Sequence, residues 1–246
     1  MHDSEKTGLV LGLETSTHAG GAALLRLPGG TDAGGLAGSI CFSSRELYSQ
    51  RLLPSVEWLL DRTQITMSQV DVVGISVGPG SFTGLRIGLS VAKALAYASK
   101  ARIVAVGTLE ALAVRAAGGR DAVVCPLLDA RHGQVYAGLF DVAWKDGLPV
   151  VTRLQDDWAG AIGEVAAWIS QPTIFAGDAL SLALEQLKPV VGTNFQSAGF
   201  HCSTPHPEAV ALLTAARALE GRFDDPVALE PHYVRQYYTS RGTGVS

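Results

Sequence analysis

The sequence predicts an α/β protein built from two similar halves. Its 246 residues are 47% hydrophobic and only 17% charged, so the chain can bury one large core or two smaller ones. Short apolar runs alternate with segments of helical periodicity, which is typical of strands connected by helices. The same layout of strand, acidic residue, polar turn and strand occurs twice along the chain.

Two predicted hairpins indicate that the chain consists of two similar halves. The apolar run 9–13 ends in Glu14, passes through a polar turn and resumes at 20–25. More than a hundred residues later, the run 123–128 ends in Asp129 and a second strand follows. This shared layout predicts an internal duplication. The alternative is that the two layouts are similar by chance, because apolar strands that end in an acidic residue are common in α/β proteins.

The remaining elements fill in each half. The first half continues with a strand at 40–42, a helix that carries Leu52, Leu53, Val56, Leu59 and Leu60, a strand at 70–77, a second helix and a strand at 101–106. The second half begins after a helix at 108–117 and has helices at 162–169 and 179–187, a strand at 173–176, an irregular segment at 194–207 and a helix at 207–219. We expect a glycine-rich surface loop at 28–38 and a disordered tail at 240–246.

The predicted domain boundary lies between the two halves. Residues 1–106 form an N-terminal lobe and residues 107–246 form a C-terminal lobe. The last helix, about 207–219, is a candidate to pack back on the first lobe.

Charge and cysteine content exclude several classes of protein. A net charge of −4 does not give the positive field with which a stand-alone nucleic-acid binder holds phosphates. The cysteines Cys41, Cys125 and Cys202 form no Cys-x-x-Cys pair, which favours the reducing cytoplasm. The sequence shows neither a secretory signal at its start nor an uninterrupted apolar stretch that could span a membrane.

A glycine-rich segment links a predicted strand to the second predicted helix. Gly78 and Gly80 permit close backbone approaches, and Pro79 stiffens the turn between them. Ser81 or Thr83 can cap the helix and leave backbone N–H groups for an anion. The segment matches neither the P-loop nor the dinucleotide-binding fingerprint, so a structural turn is the favoured interpretation.

Small residues recur at every fourth position of the second predicted helix. Gly84, Gly88, Ala92 and Ala96 therefore share one face, along which another backbone could approach closely. Each glycine costs the helix roughly 1 kcal/mol relative to alanine, which indicates tight packing. The spacing favours packing against the protein's own sheet and leaves packing against a partner open.

Three segments, in this order along the chain, carry a resemblance to a known family. They are Gly78-Pro-Gly-Ser-Phe-Thr-Gly-Leu-Arg-Ile-Gly88, Asp129-Ala-Arg-His-Gly-Gln-Val-Tyr136 and Glu230-Pro-His-Tyr-Val-Arg235. From about Leu9 to Arg235 the chain resembles the TsaB (YeaZ) family. The resemblance implies a duplicated actin-like (ASKHA, ribonuclease H-like) two-lobed α/β fold with mixed sheets.

The resemblance also implies a function. TsaB-like proteins are noncatalytic, cytoplasmic partners of TsaD, the transferase that forms threonylcarbamoyladenosine next to the anticodon of tRNAs. TsaE, an ATPase, is the third component, and tRNA is contacted only indirectly through the complex. No cofactor and no metal are implied for this chain.

The resemblance also implies which residues dock the partner and which residues form the motif turns. Such proteins pair through the two helices of the first half, with TsaD or with a second copy in a homodimer. The implied docking residues are Leu53, Val56, Leu60, Gly84, Arg86, Gly88, Ala92 and Ala96. The implied motif turns are Glu14, Thr15, Gly78, Pro79, Gly80, Ser81, Asp129 and Arg131. On this basis Gly88→Leu is expected to abolish TsaD association and to leave the fold intact.

Departures from the catalytic pattern argue against an active site. Ser16 stands where the kinase-like turn has glycine, and the side chains of 129–132 crowd the second turn. The two metal-binding histidines of TsaD correspond to Thr108 and Leu112, and of its glycine-rich adenosine region only Gly177 is kept.

An enzyme is the alternative function. Glu14 and Asp129 could form a carboxylate pair across the cleft of an ATP- or metal-dependent small-substrate transferase or kinase. The competing interpretation is that each carboxylate caps a turn or meets a cation such as Arg131.

Two further groups of residues each have a structural interpretation beside a functional one. His201, Cys202 and His206 could bind a soft metal, but a polar loop fits their spacing better. Cys125 lies in an apolar strand and is expected to be an inert core residue.

Aromatic residues near the end of the chain form the second of these clusters. Tyr233, Tyr237 and Tyr238 with Arg235 could stack on bases. Anchoring of the C-terminal segment on the fold is the favoured interpretation.

Overall fold

Two five-stranded sheets with the same topology form the frame of the molecule, a computed structural model that describes residues 8–27, 34–43 and 48–234. The strands of the first sheet are β1 (Leu9–Glu14), β2 (Ala19–Arg26), β3 (Gly35–Ser43), β4 (Val70–Gly78) and β5 (Arg102–Gly107). The strands of the second are β6 (Ala122–Asp129), β7 (Gln134–Lys145), β8 (Leu148–Ala161), β9 (Thr173–Ala176) and β10 (Phe195–Ser197).

The two sheets repeat each other strand by strand. Their spatial orders are β3-β2-β1-β4-β5 and β8-β7-β6-β9-β10. In both orders the first three strands pair antiparallel with one another, and the third, fourth and fifth strands pair in parallel. The internal duplication predicted from the two hairpins is therefore confirmed.

Helices cover the sheets and fill the space between them. They are α1 (Tyr48–Thr63), α2 (Phe82–Ser99), α3 (Thr108–Ala117), α4 (Leu180–Gln186), α5 (Lys188–Val191) and α6 (Pro207–Leu219). Short 3-10 turns lie at Met67–Gln69, Ile162–Trp168, Gly192–Asn194 and Phe200–Cys202. Among the helices of the described ranges, none is both long and apolar enough to cross a membrane.

Side chains alternate between the two faces of each strand, so the core is divided into layers on either side of the sheets. Leu11 and Leu13 of β1 pack with α1 and α2 on the outer face of the first sheet, while Val10 joins α3 and α6 on the inner face. The inner core continues to Phe140 of the second sheet, so α3 and α6 lie between the two sheets. On the outer face of the second sheet, Cys125 packs with the 3-10 turn at Ile162–Trp168 and with α4, as expected for a core residue.

Helix α6 lies directly on the first sheet although it follows the second in sequence. A Cβ atom added at Gly12 would lie 2.5 Å from the backbone nitrogen of Ala211. One added at Gly74 would lie 1.8 Å from Oγ1 of Thr214. The glycines of β1 and β4 thus make room for the helix. The boundary between residues 106 and 107 stays a prediction.

The structure corrects four predicted elements. Strand β8 was missed, although the Asp146-Gly147 turn before it, with φ of 52° and 78°, is a strong hairpin signal. Strand β3 extends into the predicted 28–38 loop, of which residues 28–33 lie outside the described ranges. The helix predicted at 162–169 is a 3-10 turn, and the segment predicted to be irregular contains β10.

Candidate functional site

The glycine-rich segment after β4 packs on the turn of the first hairpin. The backbone nitrogen of Ser81 donates to the carbonyl oxygen of Ser16 at 2.7 Å. A Cβ atom at Gly80 would lie 2.2 Å from the same oxygen. Ser81 caps α2, because its Oγ accepts from the nitrogen of Gly84 at 3.2 Å. The segment is a packed structural turn, and the Ser81 N–H group is not available to an anion.

The C-terminal segment covers the other side of this turn. His232 donates its backbone N–H to the carbonyl of Val77 at 2.7 Å. Gly78 has a φ of 125°, and a Cβ atom there would lie 2.3 Å from the carbonyl oxygen of His232. Only glycine fits between the strand end and the C-terminal segment. Pro79, next to it, is buried.

The buried side chain of Glu14 forms hydrogen bonds within the turn that follows β1. The carboxylate is fully buried, and its Oε1 accepts from the backbone nitrogen and the Oγ of Ser16, both at 2.5 Å. Burial raises the pKa of Glu14 to about 7, although the hydrogen bonds from Ser16 and Ser76 oppose the shift. Thr15 beside it is also buried, and its backbone nitrogen bonds Oγ of Ser76.

Asp129 caps the corresponding turn of the second hairpin. Its Oδ1 accepts from the backbone nitrogen of Arg131 at 2.8 Å, so Arg131 contributes its N–H group rather than its guanidinium. The nitrogen of Asp129 donates to Oδ1 of Asp178 at 2.7 Å. Glu14 and Asp129 are therefore each held by contacts within their own turn, Glu14 with Ser16 and Asp129 with Arg131. This arrangement disagrees with a carboxylate pair across the cleft.

The small-residue face of α2 is buried inside the protein, so the expectation that it lines a docking groove is wrong. A Cβ atom at Gly84 would lie 2.2 Å from the carbonyl oxygen of Thr15, and one at Gly88 would lie 2.0 Å from Oγ1 of Thr15. Ala92 and Ala96 are 0% and 4% exposed. The glycines let α2 approach the hairpin turn, which is the internal packing that the spacing alone favoured.

The other implied docking residues divide between core and surface. Val56 is 1% exposed and belongs to the core under α1. Leu60 is half-buried, whereas Leu53 is 41% exposed and Arg86 lies on the surface of α2. Val56 is therefore corrected from a docking residue to a core residue.

An outer surface of α1 and α2 remains accessible. Its most exposed aromatic side chain is Tyr97, which is 90% exposed. We call this surface the outer helical face; it comprises Leu53, Leu60, Arg86, Val91, Ala94 and Tyr97.

The C-terminal segment is anchored on α2 through aromatic and cationic contacts. The ring of Tyr233 lies 5.5 Å from that of Phe82, and its hydroxyl accepts from Nε of Arg86 at 3.1 Å. The Arg86 guanidinium also stacks 3.7 Å from the Phe82 ring centre. Tyr233 thus anchors the segment. Tyr237, Tyr238 and Arg235 lie outside the described residues.

A charged cavity between the two halves was missed by the sequence analysis. It measures about 510 Å³ and is lined by Val77, Gly78, Gly107, Glu110, Arg153, Asp156, Asp157, Arg217 and His232. Glu110 and Arg217 form an ion pair with both carboxylate oxygens 2.6 Å from Nη2. Both residues lie in largely apolar helices, but α3 also holds Arg115 and α6 also holds Glu208, so the sequence did not single out this pair.

The second ion pair of this cavity involves Asp157. Arg153 donates to its Oδ1, and Nε2 of His232 lies 3.9 Å from its Oδ2. Burial raises the pKa of Asp157, and the charge of Arg153 opposes the shift. Four charged residues of the cavity wall are therefore paired with one another, Glu110 of α3 with Arg217 of α6 and Asp157 with Arg153 of β8.

The two positions that the family resemblance aligns with metal-binding histidines of TsaD are core positions in this structure. Thr108 and Leu112 are both fully buried in α3. Gly177 has a φ of 120°, and a Cβ atom there would lie 1.8 Å from the carbonyl oxygen of Leu127, so a packing requirement explains this glycine. Within residues 8–27, 34–43 and 48–234, no group of three His, Cys, Asp or Glu side chains is arranged to hold an ion.

The cluster of His201, Cys202 and His206 does not converge. His201 is exposed, and Cys202 is buried with its Sγ 4.0 Å from the carbonyl oxygen of Arg115. His206 instead forms an ion pair with Glu208, with 3.3 Å between Nδ1 and Oε2.

Two matching mixed sheets, with α3 and α6 between them, define a protein of the duplicated actin-like, ribonuclease H-like class. The model of the family described as TsaD: tRNA N6-adenosine threonylcarbamoyltransferase matches residues 42–200. A Bacillus subtilis protein named tRNA threonylcarbamoyladenosine biosynthesis protein TsaB is 33% identical over 235 residues, which cover 92% of this chain and 93% of that protein. The chain therefore belongs to the TsaB family.

Solved structures agree with this assignment. A Pseudomonas aeruginosa protein described as uncharacterized with similarity to peptidase YEAZ superposes with a TM-score of 0.76 at 27% identity, over 93% of this chain and 100% of that one. YeaZ from Pseudomonas aeruginosa superposes with a TM-score of 0.73 at 26% identity, over 92% and 99%. The predicted fold class and family are confirmed.

Proposed function

We propose that this chain is a noncatalytic, cytoplasmic partner of the TsaD transferase in the formation of threonylcarbamoyladenosine next to the anticodon of tRNAs. The observation that carries the proposal is the packing of the motif turns. Ser16 contacts both Glu14 and Gly80, where a catalytic relative needs room for phosphates. Thr108 and Leu112 likewise belong to the buried core, so they offer no imidazole to an ion.

Docking is assigned to the outer helical face. This face combines exposed apolar side chains with the Arg86 guanidinium, a composition suited to a protein interface. The same face would serve TsaD or a second copy of the chain. TsaE is expected to join only when TsaD is present, and tRNA is expected to be reached through the complex.

Charge substitution on the outer helical face is expected to abolish co-elution with TsaD. Leu53→Asp and Tyr97→Asp place a carboxylate on exposed positions and should weaken the complex by at least about tenfold. Size-exclusion chromatography with the TsaD of the same organism measures the effect. Val190→Asp is the matched control, since Val190 is 70% exposed on the second half. Equal co-elution of all three variants would refute the assignment.

The isolated chain is expected to transfer no threonylcarbamoyl group and to bind no Mg-ATP. The alternative, a small-substrate transferase or kinase, is favoured by the charged cavity of about 510 Å³ between the halves. Calorimetry with Mg-ATP and a transfer assay, each with and without TsaD, separate the two functions. Tight binding or transfer by the chain alone would support the enzyme.

A further inference from the structure

The guanidinium of Arg86 on the outer helical face is held in place by two aromatic side chains. It stacks 3.7 Å from the ring centre of Phe82, which lies one helical turn earlier on α2. Its Nε donates a hydrogen bond to the hydroxyl of Tyr233 at 3.1 Å. The two rings lie 5.5 Å apart and pack on each other. These contacts use Nε and one flat side of the guanidinium, so Nη1 and Nη2 are left for other acceptors.

Tyr233 comes from the C-terminal segment, whose own position is fixed by backbone contacts. The backbone nitrogen of Asp224 donates to the carbonyl oxygen of Ile103 at 2.9 Å, which places the start of the segment on the edge strand β5. His232, directly before the tyrosine, donates its backbone N–H to the carbonyl of Val77 at 2.7 Å. The phenol hydroxyl is therefore in position before any partner binds.

The charge of Arg86 is not neutralised by the described parts of the chain. Within residues 8–27, 34–43 and 48–234, no carboxylate forms an ion pair with this exposed guanidinium, and Nη1 and Nη2 donate no hydrogen bond. Arg153 and Arg217, by contrast, each pair with a carboxylate. Helix α2 has Lys93 as its one other charged residue and contains no acidic residue. A planar fork of unpaired N–H donors is complementary to a carboxylate of another molecule.

The surroundings of Arg86 favour a protein as the source of that carboxylate. The outer helical face also presents Leu53 and Tyr97, which are 41% and 90% exposed. A small free anion gains nothing from such apolar surface, whereas a protein interface combines buried apolar contacts with a few charged pairs. The face is therefore suited to a protein that presents an acidic side chain among apolar ones.

We propose that Arg86 is a preorganised anchor for an acidic side chain of the protein that docks on the outer helical face, with Phe82 and Tyr233 as its positioning residues. The inference rests on the proposed function, in which that protein is TsaD. An arginine that is already stacked and hydrogen-bonded loses little side-chain freedom on binding, so more of the ion-pair energy contributes to affinity. The C-terminal segment thereby influences docking through Tyr233.

Calorimetric titration of the full chain with the TsaD of the same organism measures the effect of the anchor. Arg86→Ala should weaken the complex at least about tenfold, and Arg86→Lys nearly as much, because an ammonium keeps the charge but lacks the fork and the stacking plane. Higher ionic strength should weaken the wild-type complex more than the Arg86→Ala complex. Arg102→Lys is the matched control, since Arg102 also stacks on a ring, 4.1 Å from the centre of Phe223, but lies on β5. This control should bind like wild type.

A double-mutant cycle tests the positioning role of Tyr233. Tyr233→Phe keeps the ring and removes only the hydroxyl, so it should weaken the wild-type complex at least about threefold. The same change should have no effect when residue 86 is already alanine, because the hydroxyl acts through Arg86. Circular dichroism verifies that the variants are folded. Equal weakening in both backgrounds would overturn the positioning role.

The outcomes distinguish this inference from the proposed function. A wild-type chain that does not bind TsaD would overturn both. Binding of TsaD by wild type and by Arg86→Ala with equal affinity would overturn the anchor and leave the proposed function standing. An effect of Arg86→Ala confined to self-association of the chain, measured by sedimentation, would assign the anchor to a second copy and would also overturn the proposal.

Discussion

Gly88→Leu is expected to destabilise the first half by at least about 3 kcal/mol, because the new side chain must enter filled space. A Cβ atom at this position already lies 2.0 Å from Oγ1 of Thr15 and 3.0 Å from Cδ1 of Ile75. Neither group can move away cheaply, since Thr15 belongs to the buried hairpin turn and Ile75 to the core of β4. Urea unfolding monitored by circular dichroism gives the free energy of unfolding.

The control for this substitution lies on the same helix. Ala94→Leu adds the same side chain on the exposed side of α2 and should change the free energy of unfolding by less than about 0.5 kcal/mol. The family resemblance implied that Gly88→Leu would spare the fold and abolish association with TsaD. A folded variant of wild-type stability would restore that earlier prediction and contradict the packing described for Thr15.

Glu14→Gln is expected to change how stability depends on pH. The pKa of Glu14 is about 7 in the folded protein and 4.5 as its ordinary value. The folded state therefore holds this proton more tightly, so stability from this group is full below pH 4.5 and is lost as pH rises through about 7. The difference between these two pKa values corresponds to about 3 kcal/mol.

The variant isolates this contribution because glutamine cannot ionise and can still accept from Ser16. Between pH 4.5 and 8, wild type should lose about 3 kcal/mol more stability than Glu14→Gln. Urea unfolding at several pH values measures the difference. Glu57→Gln, on the exposed side of α1, should run parallel to wild type. Parallel curves for wild type and Glu14→Gln would show that the buried carboxylate is not the source of the pH dependence.

Periodicity predicted the fold well wherever burial alone decides the structure. Helix α6 has the predicted bounds, and the repeated hairpins gave the duplication. Strand β8 was missed because much of it is exposed, so its residues carry no strong apolar alternation. The Asp146-Gly147 turn was the better signal, since its backbone requires two residues with positive φ.

The candidate site was predicted less completely, because small residues do not reveal what they pack against. The spacing of Gly84 and Gly88 favours packing within the protein but leaves a partner's helix open, and only the position of Thr15 decides between them. Contacts between distant residues were beyond the sequence for the same reason. Ser39 and Glu208 are separated by most of the chain and form a hydrogen bond only because α6 returns to the first sheet.

Hydrogen exchange of this chain with and without TsaD tests most directly whether it docks through its outer helices and leaves the cavity uninvolved. Backbone amides of α1 and α2 should become protected in the complex, because exposed positions such as Leu53 and Tyr97 lose contact with water. Amides around the cavity, at Gly107 and Asp157, should exchange at unchanged rates. Protection confined to the cavity, with the outer helices unaffected, would contradict the account.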